Sequence, residues 1–291
     1  MDYHKPVLLT EVLDSLKAEQ GGKYIDCTLG DGGHTLEILK LGGMVLGLDI
    51  EHGSLERATR RISDSGFGSS FVGVLGNFKN LDNIAKANDF DRVNGIIFDL
   101  GYSSSQLEED LGISFKKDQP LDMRIDADLG VTAADLVNSL PEKQLADIFF
   151  EYGGEKLARK FAKASVEHRN LKKFQTTADL ANLISAEASP GYEHGRIHPA
   201  TRVFQALRIA VNNELENLQE ALPRAAHLLL PGGRMMVISF HSLEDRISKE
   251  FGRTARPTMK VLTEKPIVAS DTDVELNKRA RSAKMRVFEK I

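Results

Sequence analysis

The chain has 291 residues, a formal net charge of −4 and a single cysteine, Cys27. This length can bury a large core without cross-links, as one large domain or as a domain that carries an insert. One cysteine excludes an internal disulfide, and no cysteine and histidine spacing suits zinc, so we expect a reducing compartment and no metal site.

Signals for a membrane and for nucleic acid are weak in the overall composition. Residues 1–6 lack the layout of a secretory signal, and no uncharged apolar run is long enough to span a bilayer, so we expect a soluble, cytoplasmic protein. A negative net charge does not favour a nucleic-acid ligand. From Arg246 onwards twelve Lys and Arg accompany six Asp and Glu, but on charge alone a solvated surface is the preferred interpretation.

Short, β-prone apolar runs alternate with amphipathic ones over the first hundred residues. The runs predict strands at Lys23–Thr28, Met44–Asp49, Ser70–Leu75 and Val93–Asp99, and helices at Thr35–Leu41, Ser54–Ser65 and Lys79–Asn88. This alternation is typical of a doubly wound, mostly parallel α/β sheet, which binds ligands beyond the carboxyl ends of its strands.

The alternation stops after the fourth predicted strand. Residues 107–198 hold no convincing β run, but amphipathic segments predict helices at Ala133–Ser139, Glu142–Tyr152, Glu155–His168 and Thr177–Glu187. The block is too apolar and too periodic for a disordered linker. We therefore expect a helical insert domain at 107–198 within a discontinuous α/β domain formed by 1–106 and 199–291.

A long helix beginning near Pro199 leads back into the sheet pattern. Its apolar residues recur at helical spacing, which predicts one face packed on the sheet: Phe204, Leu207, Val211, Leu215, Leu218 and Leu222. The remaining predicted features are a turn at Pro231–Gly233, a strand at Arg234–Phe240, a helix capped by Ser242 and Asp245, and strands at Thr258–Leu262 and Met285–Glu289.

A glycine-rich loop follows the first predicted strand, over Asp26–Thr35. Glycine lets the backbone turn sharply and approach a ligand closely, although a purely structural turn is the alternative. A dinucleotide fingerprint would need its third glycine at Thr35, so an NAD site is disfavoured but not excluded. Asp49 ends the second strand, where a carboxylate can accept hydrogen bonds from both hydroxyls of a ribose. Alone it is as often a helix cap; with the loop, ribose binding is the better interpretation.

Polar or glycine-containing turns also end the third and fourth predicted strands. Phe78 can stack on an adenine, although an aromatic residue there is more often part of the core. Asp99 opens the segment that holds an acidic or amide motif in amino-group methyltransferases. Such a group can orient an exocyclic amine, and positioning supplies much of the rate. Together the four strand ends predict a nucleoside-binding cleft.

Three more side chains are candidates for positioning a target base. Tyr102 can stack on a base turned out of its helix, and Ser103 can accept a hydrogen bond from its amine, with a loop and helix cap as an equally good interpretation. His241 follows the fifth strand and can contact RNA, or merely satisfy a neighbouring carbonyl. No order of serine, histidine and acid suggests a hydrolase. Cys27 falls within the first strand, so methylation at carbon 5 of a pyrimidine is not expected.

Eight blocks, in this order, make the sequence similar to the MraW family of small-subunit rRNA cytosine-N4 methyltransferases over nearly its whole length. They are His4–Leu9, Thr28–His34, Phe98–Gly101, Pro120–Arg124, His198–Arg202, Phe204–Arg208, Ile238–Arg246 and Arg281–Lys284.

The resemblance implies a class I methyltransferase fold with S-adenosylmethionine (SAM) as cofactor. It implies methyl transfer to the N4 amine of a cytidine in the decoding region of 16S rRNA, within the small ribosomal subunit, with the helical insert recognising the substrate. It also implies cofactor contacts at Gly32, Gly33, His34, Asp49, Phe78, Asp99 and Gln106.

The sequence departs from the family pattern in three places. The family usually has another charged pair where this chain has Ile50 and Glu51, valine and proline at Tyr102 and Ser105, and Arg-Gly-Phe at 111–113. These departures affect the expected approach of the substrate more than cofactor binding. Two alternatives stay open: a DNA amino-group methyltransferase, which would need a proline-containing motif after Asp99, and a protein that holds SAM or RNA without turnover. The oligomeric state is not predicted.

Overall fold

A computed structural model of the chain describes residues 6–102 and 111–291. The chain divides into two compact units. We call Met1–Ser103 with Leu215–Ile291 the sheet unit, and Ser104–Glu214 the helical unit. Within the described ranges, no helix combines the length and the apolarity needed to cross a bilayer.

All strands found in residues 6–102 and 111–291 belong to the sheet unit. They are β1 (Lys23–Asp26), β2 (Met44–Asp49), β3 (Phe71–Leu75), β4 (Val93–Asp99), β5 (Leu229–Ser239), β6 (Met259–Val261), β7 (Ile267–Val268) and β8 (Lys284–Lys290). Strands β1 to β5 pair in parallel in the order β3-β2-β1-β4-β5. Strand β8 runs antiparallel to β5, β6 and β7. Every predicted strand is present, and the two-residue β7 is additional.

The helices of the described ranges follow in chain order. They are α1 (Leu9–Leu16), α2 (Gly33–Lys40), α3 (His52–Asp64), α4 (Leu81–Ala87), α5 (Ala133–Ser139), α6 (Glu142–Glu151), α7 (Ala158–Arg169), α8 (Thr177–Glu187), α9 (Ala200–Asn212), α10 (Glu214–Leu228), α11 (Ser242–Thr254) and α12 (Asp271–Leu276). Helix α1 was not predicted. Its buried Val12 and Leu16 nevertheless belong to the core of the sheet unit.

Strand β4 illustrates why the sheet forms. Its residues Ile96, Ile97 and Phe98 are all fully buried. A continuous apolar run of this kind is typical of a parallel strand that is covered on both faces. Strand β5 starts five residues earlier than predicted, because the turn glycines at Gly232 and Gly233 lie inside a β-bulge opposite Val93–Gly95.

The helical unit has its own apolar core, which includes Phe149, Phe161, Phe174 and Leu207. Two of its helices begin with reciprocal caps. The hydroxyls of Thr132 and Thr176 accept hydrogen bonds from the N–H three residues later, and the aspartates at those positions bind back to the threonine N–H. Each such cap typically stabilises a helix by about 1 kcal/mol.

The long helix expected from Pro199 is in fact two helices. Asn213 adopts a left-handed backbone conformation with φ 51°, which ends α9 before α10 begins. Phe204, Leu207 and Val211 pack in the core of the helical unit, so the packing on the sheet predicted for these three residues is wrong. Leu215, Leu218 and Leu222 lie in α10, which belongs to the sheet unit. Accordingly the two units part at Glu214, whereas the sequence placed that boundary at residue 198.

Candidate cofactor and active site

Three aspartates end three neighbouring parallel strands. Asp26, Asp49 and Asp99 are the last residues of β1, β2 and β4, and β1 lies between the other two. The carboxyl ends of parallel strands meet at one edge of a sheet, where open α/β folds bind ligands. We call these three residues the acidic rim.

Asp26 holds the start of the glycine loop in place. Its carboxylate, in a residue that is 1% exposed, accepts hydrogen bonds from the Thr35 hydroxyl at 2.8 Å and from the Thr28 N–H at 3.2 Å. Burial raises the pKa of Asp26, and the nearby His34 opposes that rise. Sequence reasoning did not name Asp26 as a site residue, although an acid directly before a glycine loop was an available signal.

The glycines of the loop are needed for different reasons, some for backbone conformation and one for close packing. Gly30 and Gly32 have φ angles of +51° and +72°, a conformation that residues with a Cβ rarely adopt. At Gly33 an added Cβ would lie 2.5 Å from Cγ of Pro6, so the close neighbour there is the N-terminal segment. Around Gly30 nothing lies within 4 Å of the same position. The open space along the loop is therefore at Gly30.

Asp49 is buried and fixed by the backbone. One carboxylate oxygen accepts a hydrogen bond from the Gly30 N–H at 2.8 Å and the other from the Glu51 N–H at 2.9 Å. Burial raises the pKa of Asp49 to about 6, and these two hydrogen bonds limit the rise. The carboxylate is therefore mostly ionised at neutral pH. Each of its oxygens keeps lone-pair capacity for a further donor, which suits the two hydroxyls of a ribose.

The buried His34 and the half-buried Asp99 form a polar pair at the rim. The His34 ring, in a residue that is 5% exposed, has Nε2 at 3.4 Å from Oδ2 of Asp99. Within the described residues, Oδ1 of Asp99 and both ring nitrogens of His34 make no hydrogen bond. The Thr28 hydroxyl accepts a hydrogen bond from the Asp99 N–H at 2.6 Å. This arrangement fixes the backbone of Asp99 and leaves carboxylate and imidazole capacity for a polar ligand.

The predicted aromatic residues follow two strands, Phe78 after β3 and Tyr102 after β4. Phe78 follows β3, is partly exposed, and meets the buried Phe98 edge-on with ring centroids 5.6 Å apart. Tyr102 is partly buried, and its carbonyl accepts a hydrogen bond from the Arg279 guanidinium at 3.0 Å. The predicted site residues Ser103 and Gln106 lie outside the described residues.

His241 caps helix α11. Its Nδ1 accepts a hydrogen bond from the Glu244 N–H at 3.4 Å, and the Glu244 carboxylate accepts from the His241 N–H at 3.2 Å. The capping box predicted for Ser242 and Asp245 is therefore wrong by one residue. Asp245 instead binds the buried guanidinium of Arg286 on β8 at 2.7 Å. His241 therefore has a structural role as the cap of α11, and it follows β5 as predicted.

Fold and rim together define a class I SAM-dependent methyltransferase: a parallel sheet with an antiparallel strand beside β5, a glycine loop after β1 and an acid at the end of β2. SAM is accordingly its cofactor.

The chain belongs to the MraW methylase family, whose model matches residues 1–291. It is 45% identical to a protein of Carboxydothermus hydrogenoformans named ribosomal RNA small subunit methyltransferase H, with 99% of this chain and 98% of that protein covered. It is 42% identical to a protein of the same name from Fusobacterium nucleatum, with 100% and 98% covered. A solved Clostridium thermocellum protein, provisionally described as an rRNA methylase, shares the fold at a TM-score of 0.51 and 14% identity, with 99% and 100% covered.

Proposed function

We propose that this protein transfers the methyl group of SAM to the N4 amine of a cytidine in the decoding region of 16S rRNA, within the small ribosomal subunit. The observation that carries the proposal is the half-buried Asp99 carboxylate, whose Oδ1 accepts no hydrogen bond from the described residues. The names of the two relatives support small-subunit rRNA as the substrate. The motif resemblance described above supports the N4 amine.

The described residues fit the cofactor. Asp49 would accept hydrogen bonds from the ribose, Phe78 would contact the adenine, and Gly32, Gly33 and His34 would line the rest of the cofactor. Gln106 is expected to join them. When bound, SAM supplies a methyl group on a positively charged sulfur. Buried carboxylates at the rim favour that positive charge, because charges interact strongly where water is excluded.

Asp99 would orient the acceptor amine. Its Oδ1 can accept one N–H of the exocyclic group, which fixes the rotation of that group and points the nitrogen lone pair at the methyl carbon. In the proposed transfer the N–C bond would form as the C–S bond breaks, with S-adenosylhomocysteine as the leaving group, and the surplus proton on the nitrogen would leave to water.

The state of Cys27 favours methylation of an amine over methylation at carbon 5 of a pyrimidine. Methylation at carbon 5 of a pyrimidine needs a thiolate to add to the ring. Cys27 is the only cysteine of the chain, it is 3% exposed, and burial raises the pKa of its thiol well above the ordinary value. A buried, protonated thiol is inert.

The other candidates take supporting roles in the proposal. Tyr102 would stack on the flipped cytosine, and Ser103 and His241 would contact the base or its phosphate. The helical unit would recognise the rRNA around the target. A cytoplasmic location follows from a ribosomal substrate.

The purified protein would be incubated with methyl-labelled SAM and, separately, small ribosomal subunits lacking the modification, free 16S rRNA or DNA. Each sample is digested to nucleosides and analysed by mass spectrometry. We expect label in N4-methylcytidine from the small subunits. Label in another nucleoside, or in DNA alone, would contradict the proposal. SAM binding without label in any sample would identify a binding protein instead.

A further inference from the structure

The imidazole of His34 is buried without a hydrogen bond. The residue is 5% exposed, and neither ring nitrogen has a hydrogen-bond partner in residues 6–102 and 111–291. Taking a polar group out of water without replacing its hydrogen bonds costs folding free energy, and an apolar side chain of similar size would avoid that cost. The ring therefore works against stability, as expected of a group that acts on a ligand or on another active-site residue.

The ring of His34 faces the carboxylate of Asp99. Nε2 lies 3.4 Å from Oδ2, and the two side chains are 5% and 19% exposed. The two atoms are close enough for an ion-pair contact but do not form a hydrogen bond. Catalytic hydrogen bonds are often long or poorly aligned until a substrate binds. The contact is therefore at a distance from which a hydrogen bond can form.

An exposed pair of the same kind provides a contrast. Nδ1 of His52 lies 3.6 Å from Oε1 of Glu56 on α3, but these side chains are 72% and 64% exposed. Water competes for both groups there, so such a pair contributes little. Around His34 and Asp99 most of the water is excluded, which makes an interaction at a similar distance stronger.

Asp26 fixes the backbone on both sides of this pair. Its carboxylate accepts hydrogen bonds from the hydroxyl of Thr35, the residue after His34, and from the N–H of Thr28. The Thr28 hydroxyl in turn accepts a hydrogen bond from the Asp99 N–H at 2.6 Å. One buried carboxylate thus connects the start of α2 to the end of β4. The side-chain torsions of Asp99 are what a further contact would have to fix.

Those torsions decide where an amine is held. Rotation about the Cβ–Cγ bond of an aspartate is soft, so the plane of its carboxylate is poorly defined by the backbone alone. The lone pairs that accept hydrogen bonds lie close to that plane. A donor on one oxygen of Asp99 therefore also sets the direction in which the other oxygen accepts. His34 is placed to supply such a donor to Oδ2.

We propose that His34 is a positioning residue for methyl transfer: its Nε2–H donates to Oδ2 of Asp99 when the substrate binds, and so orients Oδ1 toward the acceptor amine. The proposal rests on the function proposed above, in which Asp99 orients that amine, and it goes beyond a contact between His34 and SAM. It requires a proton on Nε2, which the Nε2–H tautomer and the imidazolium both provide.

The test uses the full-length protein and substitutions of two residues. His34→Leu fills the space without a donor, and His34→Gln keeps an N–H donor at the end of the side chain. Asp99→Ala is made alone and together with His34→Leu. The matched control is His227→Leu, at an exposed histidine where α10 leads into the amino end of β5, on the edge of the sheet opposite the rim. Circular dichroism checks each fold.

The kinetic measurements are kcat and KM for small ribosomal subunits at saturating SAM, with SAM affinity from calorimetry. His34→Leu should lower kcat by about 10- to 100-fold, the range expected for losing one hydrogen bond to a charged group. KM and SAM affinity should each change by less than about threefold, because orienting the amine acts on the chemical step. His34→Gln should recover most of the lost rate, and His227→Leu should match the wild type.

The double variant tests whether His34 acts through Asp99. If it does, His34→Leu should cause no further loss of rate in the Asp99→Ala background, because the group that it orients is already gone. Losses that multiply in the double variant would show that His34 acts independently of Asp99, and would overturn the proposal.

Nuclear magnetic resonance gives a readout that needs no turnover. In protein labelled with ¹⁵N-histidine and saturated with SAM, the ring signals of His34 are those absent from His34→Gln. We expect a proton on Nε2, and a shift of these signals in Asp99→Ala. A ring protonated on Nδ1 alone could not donate to Asp99, and would overturn the proposal even if His34→Leu did not fold.

Two kinetic outcomes would also overturn it. One is a wild-type kcat in His34→Leu. The other is an unchanged kcat with weaker SAM binding, which would make His34 a cofactor contact only. If the wild type methylates no rRNA, the proposed function fails and the role of His34 fails with it. If the wild type methylates small subunits and His34→Leu does so at the same rate, only the role of His34 fails.

Discussion

The acidic rim and the exposed cations of helix α7 use charge in opposite ways. At the rim, Asp26 and Asp49 are less than 10% exposed, and the backbone holds their carboxylates in place. On α7 the side chains of Arg159 and Lys163 are exposed to solvent. Buried, hydrogen-bonded charges are rigid and barely screened by salt, which suits a small cofactor with fixed geometry. Exposed charges are mobile and screened, which suits a flexible polyanion.

The largest expected effect at the rim follows from Asp49→Ala. We expect SAM affinity to fall by about 100-fold or more, because hydrogen bonds to a charged group contribute about 1.5–3 kcal/mol each and the ribose would lose two. Calorimetric titration measures the loss, and circular dichroism checks the fold. Glu56→Ala, which removes an exposed acid of α3, is the matched control. Equal affinity in Asp49→Ala and wild type would exclude the rim as the ribose site.

The next effect separates methyl transfer from cofactor binding. Tyr102→Ala should lower the methylation rate by about tenfold or more, the order expected for losing one base-stacking contact. His241→Ala should also lower the rate, because it removes a contact to the base or its phosphate. SAM affinity should change by less than about twofold. His241→Asn keeps a side chain that can cap α11, so it distinguishes a role in catalysis from a role in the helix. Wild-type rates in both alanine variants would remove these residues from the site.

The pH dependence of SAM binding tests whether the Asp49 carboxylate, with its raised pKa, binds the ribose. Its pKa in the free protein is about 6, and only the ionised carboxylate can accept two ribose hydrogen bonds. Affinity should therefore be constant above pH 7 and fall as the pH drops through 6, approaching about tenfold per pH unit below that value. Asp49→Asn should bind weakly with no such trend. A flat profile between pH 7.5 and 5 in the wild type would contradict the assignment.

The smallest expected effect sharpens the contrast between the two regions. Raising monovalent salt from about 50 to 200 mM should change SAM affinity by less than about twofold, because Asp26 and Asp49 of the rim are buried. Affinity for small ribosomal subunits should fall steeply over the same range. Fluorescence titration in matched buffers measures both. A steep salt dependence for SAM would mean that its contacts are exposed.

Much of the sheet unit and of the rim could be predicted from sequence. An apolar run that stops at an acid, as at Asp49 and Asp99, marks the end of a buried strand, and parallel strands bring their ends together. The contact between Pro6 and Gly33 could not be predicted, because no local pattern links residues so far apart. The sequence therefore predicted that Gly33 lets a ligand approach the backbone, whereas its close neighbour in the structure is Pro6.

The missed helix boundaries have local explanations. The apolar period continues through Asn213, so periodicity favoured one helix, and only the left-handed conformation of that residue ends α9. At α11, serine is the more common cap, which favoured Ser242. Strand β5 ends at Ser239, and His241 is the N-cap residue of α11. Its ring nitrogen accepts the hydrogen bond that a serine hydroxyl would usually accept.

The order of strands also has a consequence for biosynthesis. Strand β4 pairs with β5, but about 130 residues separate Asp99 from Leu229. At roughly 5–20 residues per second, translation of that stretch takes on the order of ten seconds. During this time one edge of β4, with Ile96, Ile97 and Phe98, has no neighbour on the nascent chain. We expect this edge to be the principal point at which chaperones engage the protein as it leaves the ribosome.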